Sequence, residues 1–194
     1  MALLQNRGKS SRLWPMRQTV RRPIALIGLM GAGKTAVARL LGERLGASMA
    51  DLDAMVEAAE GCTVAEIFAR SGEAHFRRCE GELLGEVLRT GVRVIACGGG
   101  IVLDPAHRNA LRAQCRVVWL EVTPDEAARR LSASGVPGSG RPLLAGSIPQ
   151  QRLAELLAER SPLYAEVAQL RVNTDGLSPA DVVERILAPE GASR

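Results

Sequence analysis

A phosphate-binding motif stands near the start of the chain, as Gly28-Leu29-Met30-Gly31-Ala32-Gly33-Lys34-Thr35. It matches G-x-x-x-x-G-K-[ST], in which glycines let backbone N–H groups surround a phosphate, the lysine reaches the β- and γ-phosphates and the hydroxyl binds Mg²⁺. An apolar run at 24–27 precedes the motif, and an amphipathic helical pattern at 34–45 follows it. Because the helix N-terminus adds partial positive charge, this context predicts a nucleoside triphosphate site. The alternative is a glycine-rich turn that binds nothing.

Two carboxylates follow the next short strand, which is predicted at 48–50. If the backbone stays extended, Asp51 and Asp53 project to the same side. They stand at the carboxyl end of a strand, where open α/β sheets bind their ligands. One of them is equally able to cap a helix predicted at 54–60. The residues alone leave both interpretations open.

A long helix is predicted to begin after Gly72, and its apolar stripe comprises Phe76, Cys79, Leu83, Val87 and Leu88. Arg77 and Glu80 are three residues apart and therefore share a helical face. The simplest interpretation of this pair is a surface ion pair, which contributes little to stability.

Three successive glycines, Gly98, Gly99 and Gly100, follow a buried strand predicted at 92–97. Glycines at the end of a strand favour close approach of the backbone to a ligand. A flexible turn is the alternative.

Strand and helix patterns alternate along the chain, which predicts five parallel strands with helices on both faces and right-handed crossovers. Capping boxes are predicted at Thr63/Glu66 and Thr123/Glu126. Pro162 is predicted to kink or break a helix at 148–168 after Arg160. The aperiodic stretch 132–147 has the length of a mobile lid.

The length of 194 residues suits one domain with a full core, and the composition argues against several classes of function. Aromatic residues make up only 3%, which argues against a stacking surface for single-stranded nucleic acid. The net charge of +4 comes from a basic head, so we expect no nucleic-acid partner. That head, residues 1–22, lacks an apolar core of the signal-peptide type; we predict a disordered extension, with an organelle transit peptide as the alternative. Its basic residues are Arg7, Lys9, Arg12, Arg17, Arg21 and Arg22.

The cysteines and histidines show no metal-binding spacing. The four cysteines lie far apart, and His75 and His107 stand near no metal-type cluster in the sequence. We therefore expect reduced thiols, a cytoplasmic location and no structural zinc. No apolar run approaches the length of a membrane span, so no membrane partner is expected.

Taken together, these motifs resemble the shikimate kinase family. The matching pieces are the phosphate-binding loop, Asp51-Leu52-Asp53, a block with Phe68, Gly72, Glu73, Phe76, Arg77 and Glu80, the triple glycine, Arg141-Pro142-Leu143-Leu144, and Arg160 with Pro162-Leu163-Tyr164. The resemblance covers about 23–188, and it implies a P-loop kinase domain at 23–194 with a substrate-binding helical segment at about 51–90 and a lid at about 132–147. It also implies a monomer that phosphorylates the 3-hydroxyl of shikimate with ATP and Mg²⁺, a step toward chorismate and the aromatic amino acids.

The resemblance assigns roles to individual residues. Lys34, Asp53 and Arg141 match the catalytic positions, and Thr35 and Asp51 match the metal-supporting ones. The nucleotide-binding positions are Gly31, Ala32, Gly33, Lys34, Thr35, Ala36, Arg130 and Arg141. The shikimate-binding positions are Asp53, Phe76, Arg77, Glu80, Gly98, Gly99, Gly100 and Arg160, in which Arg77 and Arg160 hold the carboxylate.

The sequence departs from the family pattern at three places. The lid between Arg130 and Arg141 is longer than usual, Leu177 replaces an adenine-contacting arginine of some members, and the basic head has no counterpart in compact members. Two other functions are compatible with the phosphate-binding loop. Another small-metabolite kinase, such as gluconate kinase, would not need Phe76-Arg77 or the triple glycine in this arrangement. A nucleotide-dependent switch that uses the basic head is disfavoured by the near-neutral remainder.

Overall fold

The computed structural model describes residues 22–133, 142–144 and 148–189. Within these ranges five parallel strands form one sheet in the order β2-β3-β1-β4-β5. The strands are β1 (Ile24–Ile27), β2 (Met49–Asp51), β3 (Val94–Ala96), β4 (Arg116–Glu121) and β5 (Leu170–Asn173). The helices are α1 (Lys34–Leu45), α2 (Leu52–Glu60), α3 (Val64–Arg89), α4 (Pro105–Gln114), α5 (Pro124–Ala133), α6 (Pro149–Val167) and α7 (Pro179–Leu187). The predicted five-stranded parallel sheet with flanking helices is confirmed.

The sheet has a hydrophobic core on each face, which explains why the central strands β1 and β3 are apolar without alternation. Ile24 and Leu26 of β1 pack on one side with α1, α5 and α7, and Ala25 and Ile27 pack on the other with α3 and α4. All four β1 residues are completely buried. The strand ends are in register, since Leu26 and Asp51 both pair with Ala96. The loops after β1, β2 and β3 therefore meet at one edge of the sheet.

Residues 51–90, which the resemblance predicts to bind the substrate, contain α2 and α3, and these helices share a small core of their own. Val56, Ile67 and Phe76 are buried together there. Gly72 interrupts α3 with non-helical backbone (φ 77°, ψ 168°), so the helix consists of two segments. This break is where the sequence predicts it.

The buried face of the second α3 segment differs from the predicted stripe. Glu80 and Leu84 are buried, whereas Cys79, Leu83 and Leu88 are only partly buried. The prediction followed the apolar residues, but the segment also faces the end of the sheet, where a charged side chain has partners.

Three local predictions need correction, and two of them concern the start of a helix. The backbone does not stay extended after β2, because α2 begins at Leu52 with Asp51 as its N-cap. The Thr123/Glu126 capping box is only half formed: the Glu126 N–H donates to Thr123 Oγ1 at 3.3 Å, but the Thr123 N–H donates to Asp175 Oδ1 at 3.1 Å. The Glu126 carboxylate instead accepts from Arg129 and Arg130.

Pro162 does not break α6, which runs from Pro149 to Val167 as one helix. Burial of Arg160 and Tyr164 on either side of the proline holds the turn in place. Tertiary packing thus outweighs the roughly 3 kcal/mol by which proline disfavours a helix interior. In the described ranges no helix, α6 included, is long and apolar enough to cross a membrane.

Candidate active site

The phosphate-binding loop connects β1 to α1 and depends on three glycines with positive φ: Gly28 (135°), Gly31 (82°) and Gly33 (88°). A side chain at Gly31 would also approach the backbone of Ala127 to 2.9 Å. Gly33 is the N-cap of α1, so the first free N–H groups of the helix point into the loop. The chain therefore has the backbone cradle that the motif predicts.

Lys34 spans this loop from the first turn of α1. Its ammonium group donates to the carbonyls of Gly28 at 2.9 Å and Leu29 at 3.0 Å. Burial lowers the pKa of Lys34, and the nearby Asp53 carboxylate opposes that shift. A phosphate bound in the loop would take the place of these carbonyls as the partner of the ammonium.

A cleft of about 640 Å³ lies over the loop and extends to the ends of β2 and β3. Its walls include Asp51, Asp53, Arg130 and Leu177, together with loop and α1 residues from Met30 to Val37. The predicted nucleotide-binding residues Gly31, Ala32, Gly33, Thr35 and Ala36 all line it. Arg141 lies outside the described residues, as does most of the predicted lid.

Thr35 and Asp51 are brought together at the edge of this cleft. Thr35 Oγ1 donates to Asp51 Oδ2 at 2.6 Å. The other oxygen of Asp51 caps α2 by accepting from the N–H groups of Asp53 and Ala54. The capping interpretation of Asp51 is therefore correct, and it orients the second oxygen toward Thr35. A hydroxyl and a carboxylate oxygen in contact form a hard-oxygen pair that fits Mg²⁺.

Arg130 of α5 is fixed at the back of the cleft. Its guanidinium donates to Glu126 at 2.7 Å, to the Gly31 carbonyl at 3.3 Å and to the Thr174 carbonyl at 2.6 Å. Leu177 lines the same cleft. A planar guanidinium held in place and an aliphatic side chain are both suited to pack against the face of a nucleotide base.

The three consecutive glycines after β3 lie directly against charged side chains. A Cβ at Gly98 would stand 2.7 Å from Asp53 Oδ1 and would overlap Glu80 Oε1. A Cβ at Gly100 would overlap the guanidinium of Arg77. At Gly99 it would stand 3.7 Å from Arg160 Nη1. The glycines therefore permit four charged residues from α2, α3 and α6 to converge on one turn.

Arg77 and Glu80 do not form the surface ion pair that the sequence suggested. Glu80 is completely buried, and only 17% of the Arg77 side chain is exposed. Arg77 Nη1 donates to Glu80 Oε2 at 2.8 Å, and Glu73 accepts from Nη2 at 2.8 Å and from Nε at 3.2 Å. Phe76 is buried with its ring 5.1 Å from the guanidinium carbon, where it supports the charge through a cation–π contact.

Arg160 brings a second buried guanidinium to the turn, since it is only 3% exposed. Among the described residues its Nε and Glu80 Oε1 are buried without a hydrogen-bond partner. Unpartnered buried polar atoms are rare in folded proteins and call for an explanation. A polar, anionic ligand at the turn supplies one.

Burial sets the ionisation of the acids at this turn. Burial, reinforced by the charge of Glu80, raises the pKa of Asp53 from 3.8 to about 6. Burial also raises the pKa of Glu80, against the attraction of Arg77. Asp53 therefore changes its protonation state close to neutral pH.

Two residues of this site were missed as functional residues in the sequence. Glu73 stands four residues before Arg77, a spacing that does reveal an ion pair on a helix. Tyr164 is buried on α6, and its hydroxyl donates to the carbonyl of Gly99. No local spacing reveals this contact, because 65 residues separate its partners.

The expectation that His75 stands near no metal-type cluster is wrong. His75 Nε2 lies 3.0 Å from Glu60 Oε1 and 3.5 Å from Cys79 Sγ. Local spacing does not reveal the cluster, because Glu60 belongs to α2 and the other two residues to α3.

Comparison with known proteins agrees with this geometry. The family model "Shikimate kinase" matches residues 30–189. The chain is 48% identical over 164 residues to a shikimate kinase of Symbiobacterium thermophilum, covering 84% of this chain and 93% of that one. The structure of a shikimate kinase from Acinetobacter baumannii in complex with shikimate is similar with a TM-score of 0.81 and 36% identity, covering 86% and 90% of the two chains. A gluconokinase from Sinorhizobium meliloti shares the fold alone, with a TM-score of 0.54, 20% identity, and coverage of 86% and 89%. The chain therefore belongs to the shikimate kinase family.

Proposed function

We propose that this chain is a kinase, a phosphotransferase with an alcohol acceptor, that transfers the γ-phosphoryl group of ATP to the 3-hydroxyl of shikimate. The observation that carries the proposal is the convergence of Asp53, Arg77, Glu80 and Arg160 on the triple glycine, beside the phosphate-binding cleft. Such a turn pairs two guanidinium groups with two carboxylates in a partly buried site. It suits a small acceptor that carries one carboxylate and several hydroxyls.

The acceptor's carboxylate is assigned to Arg77 and Arg160. Guanidinium groups recognise carboxylates through paired, charge-assisted hydrogen bonds. Glu73 and Glu80 accept hydrogen bonds from the Arg77 guanidinium, and the ring of Phe76 makes a cation–π contact with it. Arg160 keeps a buried N–H without a protein partner among the described residues. The backbone of Gly98, Gly99 and Gly100 allows the ring of the acceptor to lie close to the strand end.

Asp53 is assigned to the reacting hydroxyl. Its raised pKa, about 6, places its proton affinity near neutral pH, which suits a group that accepts the hydroxyl proton as the phosphoryl group is transferred. Because the transition state of phosphoryl transfer is loose, orienting the oxygen matters more than strong basicity. Asp53 both binds and orients the hydroxyl in this proposal.

The nucleotide is assigned to the cleft over Gly31, Ala32, Gly33, Lys34, Thr35 and Ala36. The backbone N–H groups hold the phosphates, and Lys34 exchanges its carbonyl partners for the β- and γ-phosphates. Thr35 and Asp51 would hold Mg²⁺, which supplies positive charge to the transferring group. Arg130 and Leu177 would contact adenine. Arg141, outside the described residues, is proposed from the sequence resemblance to meet the phosphates.

The chain is proposed to act as a cytoplasmic monomer without nucleic-acid or membrane partners. All four cysteines are free, which fits a reducing compartment. Among the described residues the exposed large hydrophobic side chains number one, Ile148. A single such residue does not form an apolar patch for a partner subunit. Gel filtration with light scattering tests the oligomeric state.

The function is tested by an ADP-release assay that offers shikimate, gluconate and nucleoside monophosphates at equal concentration. Of these acceptors, we expect only shikimate to raise ADP release above the ATPase background. If gluconate gives an equal or higher rate of ADP release, the proposed function is wrong and the chain is a gluconate kinase.

A further inference from the structure

A second cluster of polar side chains lies outside the cleft, where the end of α2 meets the second segment of α3. Glu60 is the last residue of α2, and His75 and Cys79 are one turn apart on α3. Glu60 Oε1 is 3.0 Å from His75 Nε2 and 3.5 Å from Cys79 Sγ, and the nitrogen and sulfur are 3.5 Å apart. None of the three lines the nucleotide cleft.

These distances are close to those of three ligands around one tetrahedral cation. With Zn–N and Zn–O bonds of ~2.1 Å and a Zn–S bond of ~2.3 Å, tetrahedral angles place nitrogen and oxygen about 3.4 Å apart, and sulfur about 3.6 Å from either. Two of the three observed separations agree within about 0.1 Å, and the third would open by about 0.4 Å. We propose that Glu60, His75 and Cys79 bind a divalent cation of the Zn²⁺ class, with three protein ligands.

The donor set selects the cation. Imidazole and thiolate suit Zn²⁺ and its neighbours in the first transition row, whereas Mg²⁺ takes oxygen ligands. The cation of this cluster would therefore differ from the one proposed at Thr35 and Asp51. About a quarter of the His75 and Glu60 side chains is exposed (28% and 23%), which gives a fourth ligand, water, access to the site.

The metal-free cluster must shift the proton of His75 and lose the proton of Cys79 before it binds the cation. Arg78 donates to His75 Nδ1 at 3.2 Å, so Nε2 carries the proton and donates to Glu60. Coordination through Nε2 moves that proton to Nδ1 and turns Arg78 away, and the Cys79 thiol loses its proton to solvent. Arg78 is exposed and free to turn. Arg78 is thus a competitor of the cation rather than a ligand.

The cluster joins α2 to the second segment of α3, which carries Arg77 and Glu80. Gly72 interrupts α3, so helical hydrogen bonds do not rigidly join the segment with Arg77 and Glu80 to the first segment. A cation between Glu60 and the pair on α3 would tie this segment to α2. We infer that the cation stabilises the part of the chain that presents Arg77 to the acceptor.

The test titrates the full, reduced, nucleotide-free protein with Co²⁺ in excess Mg²⁺ and follows the thiolate-to-cobalt charge-transfer absorption. One Co²⁺ should bind per chain, and Zn²⁺ should displace it. Cys79→Ser should abolish the band, and His75→Gln and Glu60→Gln should weaken binding at least about 10-fold, because loss of even a residue that only orients a metal ligand has an effect of this size. Cys62→Ser and His107→Gln are the matched controls and should bind as wild type. Arg78→Ala should bind more tightly.

Melting curves give a second readout that does not depend on the absorption band. With free Zn²⁺ at 100 times its Kd, the melting temperature should rise by about 5–10 °C in wild type and in Cys62→Ser, but not in Cys79→Ser. Circular dichroism confirms that each variant is folded. The proposal is overturned if no thiolate band forms at one equivalent, if the band survives in Cys79→Ser, or if Arg78→Ala weakens binding. Those results would leave a hydrogen-bonded cluster that only joins two helices.

Discussion

Removing the charge of Asp53 should stabilise the ligand-free protein while it abolishes activity. The pKa of Asp53 rises from 3.8 to about 6 on folding, chiefly through burial and then through repulsion from Glu80. At ~1.4 kcal/mol per pKa unit, this shift means that the ionised carboxylate opposes folding by about 3 kcal/mol. The attraction of Lys34 and Arg77 acts in the other direction and is outweighed.

The sign of the pH dependence follows from the raised pKa. Because the folded state holds the proton more tightly than the unfolded state, the penalty is complete above about pH 7 and disappears as the pH falls from the folded pKa of about 6 to the unfolded value of 3.8. Asp53→Asn should therefore be more stable than wild type by about 3 kcal/mol at pH 8, or roughly 6–12 °C in melting temperature, with a smaller difference at pH 5.

The measurement is a series of urea and thermal unfolding curves for both proteins between pH 4.5 and pH 8, without ligands. Asp125→Asn, which removes an exposed acid from α5, is the control and should show no such gain. Shikimate-dependent ADP release by Asp53→Asn should fall to near background in the same preparations. If Asp53→Asn is no more stable than wild type at pH 8, or if its gain does not change with pH, the ionised Asp53 carboxylate does not oppose folding.

Three further changes test other parts of the site. Lys34→Ala should leave a folded protein with phosphoryl transfer nearly abolished, because a cation at the β- and γ-phosphates is missing; near-normal turnover would remove Lys34 from the chemistry. Gly98→Ala should raise the shikimate KM strongly, since the added methyl overlaps Glu80 and stands 2.7 Å from Asp53, whereas Gly85→Ala, whose methyl meets Arg89 at 3.7 Å, should not. Equal KM values for the two alanine variants would contradict the close approach at the triple glycine. Arg141→Ala should lower kcat far more than it weakens shikimate binding, and equal losses in both would point to a substrate-holding role.

The parts of the fold that the sequence predicts well are those with local causes. The Gly28–Thr35 loop, its flanking strand and helix, and the break at Gly72 follow from glycine conformation and hydrophobic periodicity. The five parallel strands follow from alternation of strand and helix patterns. The predicted ends of β2 and β3 differ from the observed ends by one or two residues, because each of these strands has only three paired residues.

The parts that the sequence does not predict depend on contacts between distant residues. The burial of Glu80 requires the strand end and Arg77 around it. The Tyr164–Gly99 hydrogen bond and the Glu60–His75–Cys79 cluster each join separate elements. Helix α6 continues through Pro162 because buried neighbours hold it. A local rule failed at Thr123 for the same reason, since Asp175, 52 residues away, takes its N–H.

The central claim is that Arg77 and Arg160 hold the acceptor's carboxylate, and binding measurements on arginine variants test it most directly. Removing one partner of a desolvated charge pair typically costs ~2–5 kcal/mol, or roughly 30- to several-thousand-fold in affinity. Calorimetry should compare shikimate with an analogue in which a neutral hydroxymethyl replaces the carboxylate, on wild type, Arg77→Ala and Arg160→Ala. Arg160→Lys is added because a truncated buried side chain can unfold the protein.

We expect each variant to lose most of its affinity for shikimate and to bind the neutral analogue as weakly as wild type does. The affinity of the free enzyme for ATP should change little. If the neutral analogue loses as much affinity as shikimate in every variant, the two arginines hold the fold or another group. In that case the carboxylate assignment is wrong, and with it the recognition step on which the proposed activity depends.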